Sequence, residues 1–427
     1  IGTVITAKRI VLLAWGANKA DILKQTIEGS ISSEVPATYL QNHRNTTYIL
    51  DEAASKELTR IKTPWLVTSC EWNETLKLKA VLWLSELTNK SILKLTDKDY
   101  NDNGMSGLLS EVGNAYDLNI KIFNIMQHTI TGWPAGKPNA DDSNRPERAD
   151  IPKKRIIIFS PHPDDDVISM GGTFDRLVEQ GHEVHVAYQT SGNIAVSDED
   201  ALKFAEISLA LNLNSEDSKT LINFLKHKTD QDTDSHEILR LKALIRRSES
   251  LAATRYLGLE DSSVHFLNLP FYETGTVKKN NITTADLDIM CKLIEDIKPH
   301  QIYAAGDLAD PHGTHKVCLN VLFDSLEVLK NRTYMEDCWV WLYRGAWHEW
   351  EPYQIEMAVP LSPDQVIKKR HAIFYHQSQK DGVMFQGDDN REFWVRVEDR
   401  NRLTAKRYND LGLADYAAIE AFKRYHF

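Results

Sequence analysis

The chain has 427 residues, a length typical of two or more domains with ample core. Its 61 acidic and 50 basic residues give a formal charge of -11, which disfavours nonspecific binding to nucleic acid or to an anionic membrane. No apolar segment approaches the roughly 20 residues that span a bilayer. The four cysteines lack C-x-x-C spacing, so neither a disulfide scaffold nor a cysteine zinc site is indicated. The composition favours a soluble cytoplasmic protein, and we expect it to form a homo-oligomer.

Residues 1–67 are predicted to form an α/β segment. The pattern predicts a strand over 9–14, a helix, a second strand over 46–50 and a helix that starts at Asp51. The turn after the first strand reads Gly16-Ala17-Asn18-Lys19, and a helix N-terminus after a strand is a ready anion site. On the residues alone this is an ordinary strand-to-helix turn, and a solvated helical side chain is the favoured interpretation of Lys19.

Residues 1–64 resemble the C-terminal tail of the glucosamine-6-phosphate deaminase (sugar isomerase) family. The resemblance rests on the stretch VITAKRIVLLAWGANKADILKQTIEG and on the residues that follow it. It implies that Lys19 contacts a sugar phosphate. It also implies that the general base and the ring-opening residues lie upstream, so we expect a further region before Ile1. We therefore expect that this chain by itself does not deaminate an amino sugar.

A helical connector and a linker are predicted between this segment and the second half of the chain. Residues 68–132 have helical periodicity at 74–87 and at 105–115, separated by a polar turn around 101–104. Residues 133–154 are rich in Pro, Asn, Asp and charge, which is typical of an interdomain linker. From 155 to 427 strands alternate with helices. This alternation predicts an α/β fold with a Rossmann-like, mostly parallel sheet and helices on both faces.

The segment 155–173, RIIIFSPHPDDDVISMGGT, contains the first chemical cluster. Its apolar run is typical of a strand buried on both faces of a parallel sheet, and ligands bind beyond the carboxyl ends of such strands. The run ends at His162, Asp164, Asp165 and Asp166. Carboxylates this close repel one another, and a cation would resolve the conflict. Imidazole with carboxylate suits zinc, Fe(II) or another divalent ion in a three-ligand catalytic site.

A third ligand is expected from a second cluster, DLADPHGTH, at 307–315. The cluster follows another buried-strand pattern, at 301–305, and contains His312 and His315, so that one could ligate while the other faces a substrate. The alternatives are a helix cap at Asp164 or Asp165, and a structural or surface role for the two histidines. Capping requires one aspartate and explains neither His162 nor the second cluster, so a metal site is favoured.

The motif P-H-P-D-D, followed far downstream by H-x-x-H, resembles the LmbE-like (PIG-L) family of N-acetylglucosaminyl deacetylases. The resemblance extends over about residues 153–427. It implies a zinc ion bound by His162, Asp165 and His315. It also implies that Asp164 is the general base and that His312 lies beside the developing oxyanion.

The same resemblance assigns roles to two further residues, and this chain differs from the family pattern at two places. It implies that Arg246 approaches the substrate and that Glu273 contacts sugar hydroxyls. The family usually has glutamate where this chain has Asp166, a change expected to alter only the support of the ligands. Many bacterial members have Pro-Asp where this chain has Gly313-Thr314, so this chain lacks a carboxylate that could hold His312 protonated as a general acid.

Three segments around these clusters have more than one interpretation. The loop at 190–193, after a predicted strand at 183–189, either lines a sugar pocket or forms an ordinary turn. The aromatic stretch at 339–350 starts as a strand and is interpreted as core or interface in preference to a sugar-stacking surface. Residues 368–379 look helical, and His376 either reaches the pocket or a neighbouring subunit, or lies on the helix surface.

The predicted function is metal-dependent hydrolysis of the N-acetyl group of a small-molecule amino sugar or amino-sugar conjugate, with release of acetate. Residues 155–427 would form the deacetylase domain. The alternative is a glucosamine-6-phosphate deaminase-like protein of amino-sugar catabolism in which the hydrolase half is accessory or regulatory. The intact pair of clusters favours the hydrolase.

Overall fold

The computed structural model describes residues 1–136, 153–213, 215–229, 232–276, 278–308, 313–345, 347–380 and 391–427. Most of the predicted linker, and His312, therefore lie outside the described residues. The chain divides into two compact units, residues 1–127 with 410–413 and residues 128–409 with 414–427. Within the described ranges, no helix combines the length and the apolar character needed to cross a membrane.

The first unit is mostly helical and contains a two-stranded parallel sheet. Its strands are β1 (Ile10–Ala14) and β2 (Thr46–Leu50), which agree with the predicted strands to within a residue. The periodic stretch at 105–115 is interrupted because Gly113, at a φ of 96°, ends a helix there. Its helices α1 to α8 are Gly2–Ile5, Ala20–Glu28, Glu52–Ser55, Thr59–Lys62, Glu74–Thr88, Asp97–Asp102, Ser106–Val112 and Ala115–Thr129, the last of which ends in the second unit.

The second unit alternates strands and helices, as the sequence predicts. Its strands β3 to β9 are Arg155–Ser160, Glu183–Tyr188, Val264–Phe266, Gln301–Ala305, Trp339–Tyr343, Met357–Leu361 and Ala418–Tyr425. Its helices α9 to α17 are Asp165–Glu179, Asp198–Ala210, Ser215–His227, His236–Tyr256, Thr284–Ile297, Thr314–Leu329, Pro363–Phe374, Gln377–Lys380 and Phe393–Asp410.

These strands form one mostly parallel sheet in the order β5-β4-β3-β6-β7-β9-β8. The first five strands in that order are parallel, and β9 runs antiparallel to both of its neighbours. The four residues 156–159 of the central strand β3 are fully buried, which explains their unbroken apolar sequence. Because β3, β4 and β6 are parallel neighbours, the loops that follow them meet at one edge of the sheet.

Helix α9, which follows β3, packs closely on the sheet. It is interrupted at Met170, where φ is -135° and ψ is 25°. A side chain added at Gly172 would come within 2.6 Å of the Leu361 side chain on β8, so glycine permits the close approach of helix and strand. The backbone N–H of Gly172 donates a 3.0 Å hydrogen bond to Glu420 on β9.

A buried ion pair joins α15 to β9 behind this helix. The Lys369 ammonium lies 2.7 Å from the Glu420 carboxylate, and their side chains are 2% and 0% exposed. The ammonium also donates to Asn401, and Thr173 donates to the carboxylate through both its N–H and its hydroxyl. The pair and its hydrogen-bond partners therefore link α9, α15 and α17 to the sheet. The same hydrogen bonds compensate the two buried charges.

We expect Lys369→Met to lower the free energy of unfolding by about 3–5 kcal/mol, because Glu420 would keep a buried charge without its cation. Chemical denaturation measures the change. The control is Lys203→Met, which removes an exposed pair with Asp200 and should cost at most about 1 kcal/mol. If the free energy of unfolding fell by the same small amount in both variants, the stabilising role assigned to the buried pair would be wrong.

Candidate metal centre and active site

Three side chains from the segments that follow β3 and β6 converge at the sheet edge. One oxygen of Asp165 lies 3.1 Å from Nδ1 of His162 and 3.2 Å from Nε2 of His315. The possible ligand atoms of the three residues all lie within 4.8 Å of one another. In the described part of the chain, this is the one group of three or more histidine, cysteine or acidic side chains arranged in this way. These are the residues that the family resemblance implies as ligands.

The ring of His315 is held in one orientation by the second cluster. Its Nδ1 lies 2.8 Å from the carbonyl oxygen of Asp307, which can only accept, so Nδ1 carries the proton and donates. The carboxylate of Asp307 accepts from the backbone N–H groups of Trp347 and His348, at 2.6 and 2.8 Å. In the neutral ring, Nε2 then directs a lone pair toward the site, as a metal ligand must.

Asp165 is a carboxylate under ordinary conditions. Burial raises its pKa, but the imidazoles of His315 and His162 outweigh burial and hold the pKa well below its usual range. The oxygen of Asp165 that lies between the two histidines also accepts a 2.9 Å hydrogen bond from the backbone N–H of His162. The ionised carboxylate of Asp165 can therefore bind a cation.

Asp164 lies beside this group and is paired with Arg246. An oxygen of Asp164 lies 3.0 Å from the Arg246 guanidinium, and the two side chains are 8% and 1% exposed. Burial raises the pKa of Asp164 by more than the guanidinium lowers it. Although Asp164 stands at the N-cap of α9, its side chain makes no capping hydrogen bond. The capping interpretation is therefore wrong at this position.

Asp166, the third carboxylate of the run, faces the interior. It accepts from the hydroxyl of Tyr188 at 3.0 Å, and its backbone N–H donates to the hydroxyl of Ser160 at 3.0 Å. Burial raises the pKa of Asp166 to about 7. Its contacts join the loop after β3 to the neighbouring strand, which agrees with the expected supporting position.

Glu273 contacts the loop that follows β4. Its carboxylate accepts from the backbone N–H of Ser191 at 3.3 Å and from the amide of Asn193 at 3.4 Å. The Ser191 hydroxyl and the Asn193 carbonyl oxygen are buried without a hydrogen-bond partner among the described residues. A side chain added at Gly192, where φ is +62°, would lie 2.9 Å from Pro163 of the first cluster. The loop thus lies against the first cluster, which favours the pocket interpretation.

The described structure does not test the predicted roles of two site residues. His312 lies outside the described residues. Lys19 belongs to the first unit, where it is exposed at the end of a 3-10 turn before α2. The backbone N–H of Gly16 in that turn is already bonded to the Asp51 carboxylate, with both oxygens at 3.2 Å. The phosphate contact of Lys19 remains a prediction from the resemblance.

His376 is a residue whose position the sequence left open. It follows α15, is 1% exposed, and lines a small cavity together with Asp164 and the aromatic rings of Phe393 and Trp394. Burial lowers the pKa of His376 to about 3, so the ring is neutral at physiological pH. The surface interpretation of this histidine is wrong. The helical pattern over 368–379 gave no sign of this burial, because in the structure the helix α15 ends at Phe374, before the histidine.

The sequence around the site matches a known family. Residues 157–325 match the profile of PIG-L, described as GlcNAc-PI de-N-acetylase. The matched region contains most of β3, all of β6 and the three side chains of the candidate metal site. The chain therefore contains a PIG-L domain at residues 157–325.

Relatives match different lengths of the chain. A glucosamine-6-phosphate deaminase-like protein of Bacteroides thetaiotaomicron is 55% identical over 436 residues, which cover 100% of this chain and 66% of that protein. A glucosamine-6-phosphate deaminase of Streptococcus suis is 50% identical over 58 residues, 14% of this chain and 25% of the deaminase. That partial match lies at the N-terminal end. The chain thus spans about two thirds of the first relative and a quarter of the second.

Among solved structures, the chain is similar to the N,N'-diacetylchitobiose deacetylase of Pyrococcus horikoshii in complex with its inhibitor MPG. The sequence identity is 17%, the alignment covers 64% of this chain and 84% of that one, and the TM-score is 0.43.

Proposed function

We propose that the second unit hydrolyses the N-acetyl group of an amino sugar or amino-sugar conjugate and releases acetate, with one divalent metal ion as cofactor. The observation that carries the proposal is the group of His162, Asp165 and His315 with a separate buried carboxylate, Asp164, beside it. The match of residues 157–325 to a family profile described as a de-N-acetylase supports the same activity.

The side chains of the group fit a divalent metal ion. Because Nδ1 of His315 donates to a carbonyl, its Nε2 lone pair faces a carboxylate oxygen of Asp165 at 3.2 Å. Two electron-rich atoms at this distance repel unless a cation or a proton lies between them. Two imidazoles and a carboxylate are a ligand set of catalytic zinc, and Fe(II) also accepts it. When bound, such an ion polarises an amide carbonyl and lowers the pKa of a water molecule from about 15.7 toward about 7.

Asp164 is proposed as the general base. It receives a proton from the attacking water while the water oxygen bonds to the amide carbon. It then passes that proton to the nitrogen as the C–N bond breaks, which yields acetate and a free amino sugar. The Arg246 guanidinium stabilises the ionised base before the reaction, and the raised pKa of Asp164 favours uptake of the proton.

Three more roles are proposed from the family resemblance. Protonated His312 would stabilise the oxyanion, a contact whose loss typically costs roughly 3 kcal/mol. Arg246 would approach the substrate with its Nε, which is buried without a hydrogen-bond partner among the described residues. Glu273, held in the loop after β4, would accept hydrogen bonds from sugar hydroxyls.

A second candidate function follows from the names of the relatives. The deaminase-like relative and the partial deaminase match favour a role for the whole protein in amino-sugar catabolism, with the hydrolase half accessory or regulatory. In this chain the deaminase-like segment offers Lys19 as the phosphate contact, and we identify no base or ring-opening acid in it. The hydrolase is therefore the proposed activity of this chain.

We expect the purified, zinc-loaded chain to release acetate from an N-acetylated amino sugar and to release no ammonia from glucosamine 6-phosphate. A panel of N-acetylated sugars, with and without phosphate, would be assayed for acetate, and glucosamine 6-phosphate for ammonia. The protein with both His162 and His315 replaced by alanine is the matched control. Acetate release from no member of the panel would contradict the proposal. Ammonia release would show that deaminase residues lie elsewhere in the chain.

A further inference from the structure

The hydrogen bond that orients His315 is accepted by a backbone carbonyl outside the regular sheet. His315 lies in the first turn of α14, and its Nδ1 donates to the carbonyl oxygen of Asp307 at 2.8 Å. Asp307 is the second residue after β6, in a segment that belongs to no helix or strand. Such segments are more mobile than the elements they connect. The ring is therefore oriented only as firmly as this one peptide is fixed.

The side chain of Asp307 fixes the peptide to which it belongs. It is 2% exposed, and one of its oxygens accepts from the backbone N–H groups of Trp347 at 2.6 Å and His348 at 2.8 Å. Both donors lie in the loop that follows β7, the parallel neighbour of β6. Hydrogen bonds to an ionised acceptor are roughly twice as strong as neutral ones. The carboxylate therefore connects the turn after β6 to the loop after β7.

The glycine before this aspartate is confined by the end of the same strand. The N–H of Gly306 donates to the carbonyl of Tyr343 at 2.7 Å, and its carbonyl accepts from Nε of Arg344 at 3.0 Å. A side chain added at Gly306 would lie 2.9 Å from both Leu342 and Trp350. The glycine thus permits close contact, and the carboxylate that follows it completes the connection between the two segments.

The direction of the Asp307 carbonyl decides which nitrogen of His315 offers a lone pair to the metal site. In a neutral imidazole, the hydrogen bond made by one nitrogen sets which nitrogen carries the proton. While Nδ1 donates to the carbonyl, the Nε2 that lies 3.2 Å from an oxygen of Asp165 is unprotonated. If the carbonyl turned away, the proton could move to Nε2. The ring would then lose the lone pair that a metal ligand requires.

We propose that Asp307 is a positioning residue. Its carboxylate holds the carbonyl of the same residue against His315 and so keeps that histidine in the orientation and tautomer that bind the metal ion. The inference rests on the proposed function, which makes His315 a ligand. Mutation of the groups that orient metal-bound histidines typically costs roughly 10- to 100-fold in metal affinity or activity. Because the acceptor is a main-chain oxygen, a substitution of the side chain leaves it in place and tests only how it is held.

The test is the zinc affinity of Asp307→Ala, measured by competition with a chelator of known affinity. We expect the Kd for zinc to rise roughly 10- to 100-fold, because the peptide is no longer held. Asp307→Ser, whose hydroxyl is too short to replace the carboxylate, should raise the Kd likewise and serves if the alanine variant does not fold. Asp307→Asn keeps an oxygen that can accept from both N–H groups and should recover most of the affinity.

The matched control is Asp286→Ala. It removes another buried carboxylate that accepts from backbone N–H groups, those of Phe271 at 2.9 Å and Thr283 at 2.8 Å. Its Kd for zinc should equal that of the wild-type chain. An unchanged Kd in the Asp307→Ala and Asp307→Ser variants, or an equal rise in the control, would overturn the inference.

A second readout needs no metal. Long-range proton–nitrogen NMR spectra of metal-free protein labelled at histidine with nitrogen-15 distinguish the two tautomers, and His315→Ala assigns the signals of that ring. We expect the Nδ1-protonated ring in the wild-type chain and in Asp307→Asn, and a loss of that tautomer in Asp307→Ala. An unchanged tautomer would overturn the inference. Failure of the wild-type chain to bind zinc would overturn it together with the metal site, whereas zinc binding without acetate release would count against the proposed function alone.

Discussion

Replacing Asp164 by asparagine is expected to leave the metal bound and to lower the rate of acetate release roughly 10²- to 10⁴-fold. The amide cannot accept the proton of water, whereas His162, Asp165 and His315 are unchanged. The amide oxygen can still accept a hydrogen bond from Arg246, although that guanidinium loses its charged partner. Turnover, metal content and thermal stability would be measured on the same preparation.

The control for this variant is Asp166→Asn, in the same run of carboxylates. Asp166 contacts Ser160 and Tyr188 and is not a member of the group of three, and the amide keeps an oxygen for the tyrosine hydroxyl. Its effect on turnover should be much smaller. Similar losses in both variants, or full turnover by metal-loaded Asp164→Asn, would remove Asp164 from the role of base.

The double replacement His162→Ala and His315→Ala should abolish stoichiometric metal binding, because a single carboxylate then remains of the three ligands. Metal per chain is measured by mass spectrometry after dialysis of zinc-loaded protein. The control pair is His185→Ala and His265→Ala, which removes another two neighbouring histidines, with ring centroids 5.3 Å apart on β4 and β5. Full metal content in the first double variant would contradict the assignment.

The central strands and the convergence of the two clusters could be predicted from sequence. The strand β6 has the boundaries that were predicted, and β3 forms at the apolar run of the first cluster, because strands buried on both faces leave a continuous signal. Their parallel pairing brings His162 and His315 to one edge, which follows from the general topology of such sheets. Local pattern was sufficient here because both clusters directly follow their strands.

The positions of other side chains depend on contacts that no local pattern contains. The pairing of Asp164 with Arg246 requires α12 to pack beside the loop after β3. The burial of His376 depends on a turn after α15 and on the packing of α17, so helical periodicity suggested an equally good surface position. The ion pair of Lys369 with Glu420 likewise joins residues that become neighbours only in the folded sheet.

The most direct test of the account is metal titration of acetate release. Chelator-treated protein should release no acetate, and added zinc should restore activity along a line that ends at one ion per chain, because the described residues contain one suitable group of ligands. Fe(II) would be titrated in parallel, since the same ligands suit it. Full turnover by protein shown to be free of metal, or no turnover after one equivalent of either ion is bound, would contradict the account.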